Sequence, residues 1–214
     1  MMFTMAYPVS VTVEPPPADR NRLTTGFRLF LAIPHLILVG GIGIGFVVYS
    51  GRSDARSFSG ETGLLGSIAV AFAIISWFTI VIAGEHYTPV RGYTGFYLRW
   101  RVRSLAYLML LADDYPPFGD GPYPAALTLE ERDRRPDRVA VGLRLVLAIP
   151  QFIVLFFVLC AWWVTTAIAW FAILITGQYP AGLYGFGVGA LRWLIRLEAY
   201  MLLMIDDYPP FSLT

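Results

Sequence analysis

An internal repeat constrains this chain more than any other feature. The hexapeptide Asp-Asp-Tyr-Pro-Pro-Phe at 113–118 recurs letter for letter at 206–211. The nonapeptide at 26–34 matches residues 142–150 at seven of nine positions, including the Arg and the closing Pro. Because matching positions of a duplicated chain must perform the same structural role, we predict two tandem units of related fold.

The two copies align with different offsets in their two halves. Up to Pro34 the matching residues lie 116 positions apart, and from Trp77 onward they lie 93 positions apart. The first unit therefore carries 23 additional residues between Pro34 and Trp77. A polar run at 49–57 lies in this interval, which predicts a longer connection between two apolar segments. The predicted units are residues 1–118 and 119–214.

Long apolar runs predict a membrane protein. Residues 29–49 and 63–84 contain no Asp, Glu, Lys or Arg. Each is long enough to cross about 30 Å of hydrocarbon at about 1.5 Å per residue. The chain is 14% charged, whereas soluble proteins contain about 25% charged residues. We therefore predict an all-α integral membrane protein located in a cell membrane.

A third apolar run is too long for one perpendicular span. Leu145–Gly177 has 33 residues without a charge, and a straight helix of that length would extend about 50 Å. It forms either a short hairpin or one long tilted helix. The hairpin places every arginine except Arg52 and Arg56 on one side of the membrane, as the positive-inside rule requires. The resulting prediction is four spans, with both termini in the cytoplasm.

An amphipathic helix is predicted to follow the hairpin of each unit. At 100° per residue, a stripe of two Arg, one Tyr and one Asp falls on one side of this helix. Such a helix can lie at the membrane interface, with its arginines among lipid phosphates. The stripe consists of Arg99, Arg103, Tyr107 and Asp114 in the first unit, and of Arg192, Arg196, Tyr200 and Asp207 in the second.

Paired carboxylates close both amphipathic helices. They are Asp113 with Asp114, and Asp206 with Asp207. Because a helix C-terminus already carries negative partial charge, these carboxylates need cationic partners. We predict Arg–Asp pairs between the two units, with candidates Arg99, Arg103, Arg138, Arg144, Arg192 and Arg196. The alternative is a site for Mg²⁺ or a substrate cation, although no third acidic residue follows one turn later.

A short alternating stretch precedes the apolar part of each unit. Val9, Val11 and Val13 alternate with polar residues, and Leu127 and Leu129 flank Thr128 in the same way. This period of two is typical of half-buried strands. We expect these cytoplasmic arms to pair with each other and to lean on the helices, since two strands alone are marginally stable. Extended arms without a sheet are the alternative.

The chain shows no arrangement of residues typical of an active site. His35 and His86 correspond to Gln151 and Tyr179 in the second unit, so the duplication does not repeat an imidazole. No zinc spacing, nucleophile–base pair or phosphate loop is present. We therefore predict no catalytic residue, metal or cofactor, and leave enzymatic activity as an open but less favoured alternative.

Several motifs together resemble a known family. Arg-Trp-x-x-Arg-x-x-Ala-Tyr occurs at 99–107 and at 192–200, each time followed by the repeated hexapeptide, and Gly-x-Tyr-Pro occurs at 177–180. With these motifs the chain resembles the bacterial membrane family catalogued as domain of unknown function 4389, over nearly its whole length. The resemblance implies a membrane location and supplies no activity or catalytic residues. The first unit departs from it at 84–89, where Tyr and Pro are not adjacent.

Two functions fit these observations. The first is a scaffold or accessory subunit that packs against a larger membrane complex or against another copy of itself. The second is a module that binds anionic lipid headgroups, or moves lipid or solute, through the arginine stripes. No nucleic-acid partner is expected.

Overall fold

The computed structural model describes residues 7–15, 19–42, 62–84, 88–130 and 137–214. Five helices and two strands lie within these ranges: β1 (Val9–Val13), α1 (Arg22–Val39), α2 (Gly63–Ala83), α3 (Thr88–Leu108), β2 (Ala125–Leu129), α4 (Arg138–Thr176) and α5 (Ala181–Met201). The predicted mostly helical fold is confirmed. Outside the described residues lie the polar run at 49–57 with Arg52 and Arg56, and also His86.

Three of these helices are long and apolar enough to cross a membrane. They are α1, α2 and α4, with mean hydropathies of 1.3, 2.3 and 2.5 in their most apolar stretches. They contain the predicted apolar runs at 63–84 and 145–177 except for the final glycine of each, and residues 29–39 of the run at 29–49, whose residues 43–49 lie outside the described part of the chain.

The hairpin predicted for the second unit is wrong. Residues Arg138–Thr176 form one helix of 39 residues, which is about 58 Å long. Its N-terminus is capped by the Asp137 carboxylate, which accepts hydrogen bonds from the N–H groups of Val139 and Ala140. Gly177 ends it with a φ of 77°. Since residues 151–176 contain no Gly or Pro, nothing in the sequence interrupts the helical hydrogen bonds there.

The first unit does not form a hairpin either, because α1 and α2 follow one another end to end along α4. The Trp170 Nε1 donates to the carbonyl oxygen of Thr25 at 3.0 Å, and the Trp77 Nε1 donates to that of Val141 at 2.9 Å. Val141 and Trp170 are about 43 Å apart along a helix. The start of α1 and the end of α2 therefore lie at opposite ends of α4.

The repeat explains this arrangement. Helices α1 and α2 have 18 and 21 residues, and α4 has 39. Val39 corresponds to Leu155 and Gly63 to Phe156, so the additional residues of the first unit interrupt what is a single helix in the second. The two ends still meet, since a Cβ added to Gly63 would collide with the backbone nitrogen of Gly40. We call α1 with α2 the first rod and α4 the second rod; the two run antiparallel.

Helices α3 and α5 each run back along the rod of their own unit. Near the beginning of α3, the Tyr93 hydroxyl donates to the carbonyl oxygen of Leu65 on α2 at 2.9 Å. Near its end, the Arg28 guanidinium of α1 donates to the carbonyl oxygen of Tyr107 at 3.1 Å. Helix α5 packs on α4 in the same sense, since Gly187 lies beside Trp162, and the carbonyl oxygen of Tyr200 near the end of α5 accepts a hydrogen bond from Arg144 near the start of α4. The C-terminal end of each short helix therefore lies near the N-terminal end of its rod.

The C-terminal halves of α3 and α5 are buried on all sides. Every residue from 101 to 108 is buried, as is every residue from 193 to 197. A helix that lies at a membrane interface would instead keep one polar face in water. The predicted amphipathic interfacial helix is therefore replaced by a protein-covered helix, because the rod, the other short helix and the sheet surround it.

The predicted pairing of the two arms is confirmed. Strands β1 and β2 are antiparallel, with Val9 opposite Leu129 and Val13 opposite Ala125. The strands are exchanged between units, since β1 packs on α5 and β2 packs on α3. Val9 and Val11 are 0% and 3% exposed and belong to the main hydrophobic core. The sheet thus draws its stability from the helices beneath it.

Candidate functional site

A buried guanidinium organises the polar cluster of the first unit. Arg28 is 1% exposed. It donates to the carbonyl oxygens of Tyr107 and Ala112 at 3.1 and 2.5 Å and to the carboxylate of Asp113 at 2.9 Å. Its Cζ lies 4.5 Å from the centre of the Tyr107 ring, a cation–π contact. Arg20 donates to the same carboxylate at 2.5 Å, so two cations neutralise one acid.

The second unit repeats this cluster. Arg144 donates to the carbonyl oxygen of Tyr200 at 2.6 Å and to the carboxylate of Asp206 at 2.7 Å. Its Cζ lies 4.3 Å from the centre of the Tyr200 ring. In both units a leucine in the left-handed region follows the short helix, with φ of 64° at Leu110 and 61° at Leu203. This turn directs the carboxylate back to the arginine of the rod.

The prediction of pairing between units is wrong for Asp113 and Asp206, although Arg144, one of the candidate partners, does bind Asp206. Asp113 and Asp206 each bind arginines of their own unit. The reason is the antiparallel packing described above, which places the end of each short helix beside the start of its own rod. Asp114 and Asp207 lie beyond the ends of α3 and α5, so the predicted helical stripe does not include them.

The stripe arginines bind other groups. Arg99 holds Asp120 through two hydrogen bonds of 3.0 Å, and this contact keeps the pKa of the Asp120 carboxyl below its ordinary value. The other three donate to backbone carbonyl oxygens: Arg103 to Gly119, Arg192 to Val11 and Arg196 to Thr214. With the unit boundary between residues 118 and 119, the contacts of Arg99, Arg103 and Arg192 join the two units, and that of Arg196 lies within the second. Tyr107 and Tyr200, the aromatic members of the stripe, are each 2% exposed.

A cluster at the interruption of the first rod was missed from the sequence. Arg101 is fully buried, and its Nε donates to the two carboxylate oxygens of Glu198 at 2.8 and 2.6 Å. Its Nη1 and Nη2 donate to the carbonyl oxygens of Val39 and Gly41 at 2.5 and 3.1 Å. An interrupted helix leaves its last carbonyls without intrahelical donors. Arg101 supplies those donors, and Glu198 supplies the compensating charge.

The repeat contained a signal for this cluster. Arg101 aligns with Leu194, and Glu198 aligns with Leu105. Both charged residues therefore occur where the other unit has leucine, and both lie where the rod of the first unit is broken. Burial raises the pKa of Glu198 above its ordinary value, although Arg101 lowers it. A comparison of the two units for unmatched charges would have found the pair.

His35 and Gln151 perform one structural role in the two units. The Trp100 Nε1 donates to the Nδ1 of His35 at 3.0 Å, and the Trp193 Nε1 donates to the Oε1 of Gln151 at 2.7 Å. His35 also stacks on Phe118, with ring centres 4.6 Å apart. Both side chains offer an acceptor to a buried indole, which explains why the duplication does not repeat the imidazole.

This role predicts the effect of two substitutions. We expect His35→Gln to lower the free energy of unfolding by about 1 kcal/mol or less, because the acceptor is kept and a stacking contact is lost. We expect His35→Leu to cost about 1–3 kcal/mol, because it leaves the Trp100 N–H buried and unpaired. Equilibrium unfolding in mixed micelles measures both. Equal losses for the two variants would contradict the acceptor role.

The polar clusters offer little to a metal ion. Among the described residues, no group of three or more His, Cys, Asp or Glu side chains is placed to hold one. The Asp113 carboxylate, a member of the proposed cation site, already receives two guanidinium groups. These cations occupy the place that Mg²⁺ would take. The chemistry available to the clusters is therefore charge neutralisation and backbone capping.

Comparison with known proteins identifies the family of the chain. The chain matches no curated protein and no solved structure. Its residues 61–119 and 138–212 match the family described as Domain of unknown function (DUF4389). The first match includes α2, α3 and the first repeated hexapeptide, and the second includes α4, α5 and the second hexapeptide. The chain therefore belongs to the DUF4389 family.

Proposed function

We propose that the protein is an integral membrane scaffold or accessory subunit that packs against a larger membrane complex. The observation that carries this proposal is the use of the signature residues inside the fold. In each unit the second Arg and the Tyr of the motif are buried, and the first Asp of the hexapeptide is bonded to an arginine of the rod. These residues build the unit, whereas the outer faces of both rods expose large apolar side chains.

The outer faces of both rods supply such a surface. Helix α4 exposes large apolar side chains along its whole length, from Val139 at 69% to Ile175 at 73%. The first rod does the same from Leu23 at 72% to Ile82 at 74%. Lipid covers this surface in part, and a second membrane protein can pack against the rest through close van der Waals contact.

The same proposal places both termini in the cytoplasm. The Tyr7 hydroxyl, just before β1, donates to the carbonyl oxygen of Asp207 at 3.1 Å, and the Tyr123 hydroxyl, just before β2, donates to that of Asp114 at 2.8 Å. The two paired arms thus contact both repeated hexapeptides. The N-terminal arm contacts the hexapeptide near the C-terminus. This contact supports one aqueous side for the two termini, and the arginines around them favour the cytoplasm.

Binding of anionic headgroups by the arginine stripes has less support. Arg103 and Arg196 are each 9% exposed and are bonded to backbone carbonyls. The Arg99 side chain is 37% exposed, but its guanidinium is bonded to Asp120. Lipid phosphates would have to displace these internal partners.

The scaffold proposal predicts a partner on the outer faces. A photo-crosslinking residue placed at Phe157 on α4 or Ile75 on α2, which are 66% and 53% exposed, is expected to join the protein to one stoichiometric membrane partner. Leu159, two positions from Phe157 and 6% exposed, is the matched control and should give crosslinks within the chain only. Mass spectrometry after mild detergent extraction identifies the partner. A monomeric protein that crosslinks to lipid alone at both outer positions would refute the proposal.

A further inference from the structure

A cavity of about 600 Å³ lies between α2, α4 and α5. This volume is in the range of about 300–1,000 Å³ that is typical of ligand-binding pockets. Its walls are mainly apolar and include Val70, Ala73, Trp77, Phe152, Leu197 and Met201. The charged residues Arg144 and Glu198 also line it, but each is held in an ion pair, with Asp206 and with Arg101.

The mouth of the cavity opens on the apolar outside of the rods. Ile74 on α2 and Leu145 on α4 line the cavity and are also 55% and 51% exposed. Both helices are long and apolar enough to cross a membrane. A hydrocarbon chain from the bilayer can therefore enter between them without passing through water.

The repeat shows that small residues open this cavity in one unit. Gly66, Val70 and Ala73 line it from α2. Their counterparts on α4 are the larger Leu159, Trp163 and Thr166. The face of α2 that lines the cavity thus carries smaller side chains at three successive turns than the matching face of α4. An apolar void without an occupant loses packing contacts along its walls.

We propose that this cavity binds one acyl chain of a membrane phospholipid. The walls are apolar over the length of three turns of α2, the mouth faces hydrocarbon, and the charged groups at the wall are already neutralised by protein partners. A polar ligand would find few free hydrogen-bond partners there, whereas an acyl chain needs none. This site is independent of the scaffold role, because the outer faces can bind a partner whether the cavity is filled or empty.

The experiment uses the full-length protein in vesicles of phosphatidylcholine that carries a diazirine halfway along one acyl chain. After illumination, mass spectrometry locates the labelled residues. We expect labelling of Leu197 and Met201 on α5, which line the side of the cavity away from its mouth. Val70→Trp copies the residue of the other unit into the cavity and should reduce this labelling about tenfold, equivalent to about 1.4 kcal/mol.

The matched control is Ile68→Trp, which adds the same ring to α2 at a position 43% exposed on the outside and should leave α5 labelling unchanged. Unfolding in mixed micelles verifies that both variants are folded, and Ala73→Leu replaces Val70→Trp if the latter is not. If α5 stays unlabelled in the unsubstituted protein, or is labelled equally after the cavity is filled in a folded variant, the acyl-chain site does not exist.

Discussion

Arg101→Leu is expected to lower the free energy of unfolding by about 3–5 kcal/mol. The substitution removes one partner of a buried ion pair and leaves Glu198 without its cation, which costs more than the pair itself contributes. It also removes the donors to the carbonyl oxygens of Val39 and Gly41. Equilibrium unfolding in mixed micelles, followed by circular dichroism, measures the loss.

A second variant separates these two effects. Arg101→Leu combined with Glu198→Leu reproduces the leucines found at the corresponding positions of the other unit, and it removes the buried charge. We expect the double variant to recover most of the lost free energy of unfolding. A deficit of about 1–3 kcal/mol should remain, because the carbonyl oxygens no longer have a donor. A double variant no more stable than Arg101→Leu alone would show that the charge of Glu198 is not the cause.

Arg28→Met is expected to lower the free energy of unfolding by about 3–5 kcal/mol. Arg144→Met should lower it somewhat less. Both remove a buried guanidinium from a carboxylate and from backbone carbonyls. Arg28 serves two carbonyls and Arg144 serves one, and the carboxylate side chain of Asp206 is 34% exposed, against 19% for Asp113. Water can therefore replace the lost partner more easily in the second unit.

Arg99→Met is the control for this comparison. Its partner Asp120 is 50% exposed and its own side chain is 37% exposed, so the pair is screened by solvent and should contribute about 0–1 kcal/mol. All three variants are compared by unfolding in mixed micelles under one set of conditions. If Arg99→Met is as destabilising as Arg28→Met, burial does not distinguish these arginines and the structural role of the clusters fails.

The apolar helices and the strand pairing could be predicted because they depend on local patterns. Runs without charge and an alternation of period two are visible within about ten to twenty residues. The partner of Asp113 could not be predicted in this way. It depends on the direction in which α3 packs on α1, and the stripe of Arg99 and Arg103 suggested a lipid-facing helix instead. In the fold, the loop between α3 and β2 supplies the partners of both arginines, Asp120 and Gly119.

The single helix of the second unit shows a different limit. Its length, near 58 Å, exceeds what a perpendicular span needs, so the positive-inside rule favoured a hairpin. That rule concerns the sides of a membrane and takes no account of whether the backbone can turn. The absence of Gly and Pro over residues 151–176 was the better guide, and the interruption of the first rod follows from its additional residues.

The exchange of strands has a consequence for how the chain is made. Because β1 packs on α5 and pairs with β2, the N-terminal strand cannot be buried until nearly the entire polypeptide has been synthesised. The helices of the first half can form early, while the valines of their arm stay exposed and accessible to chaperones. A truncated gene that encodes one unit would produce a strand without its partner strand. Two such products could restore the pairing only by exchanging strands between molecules.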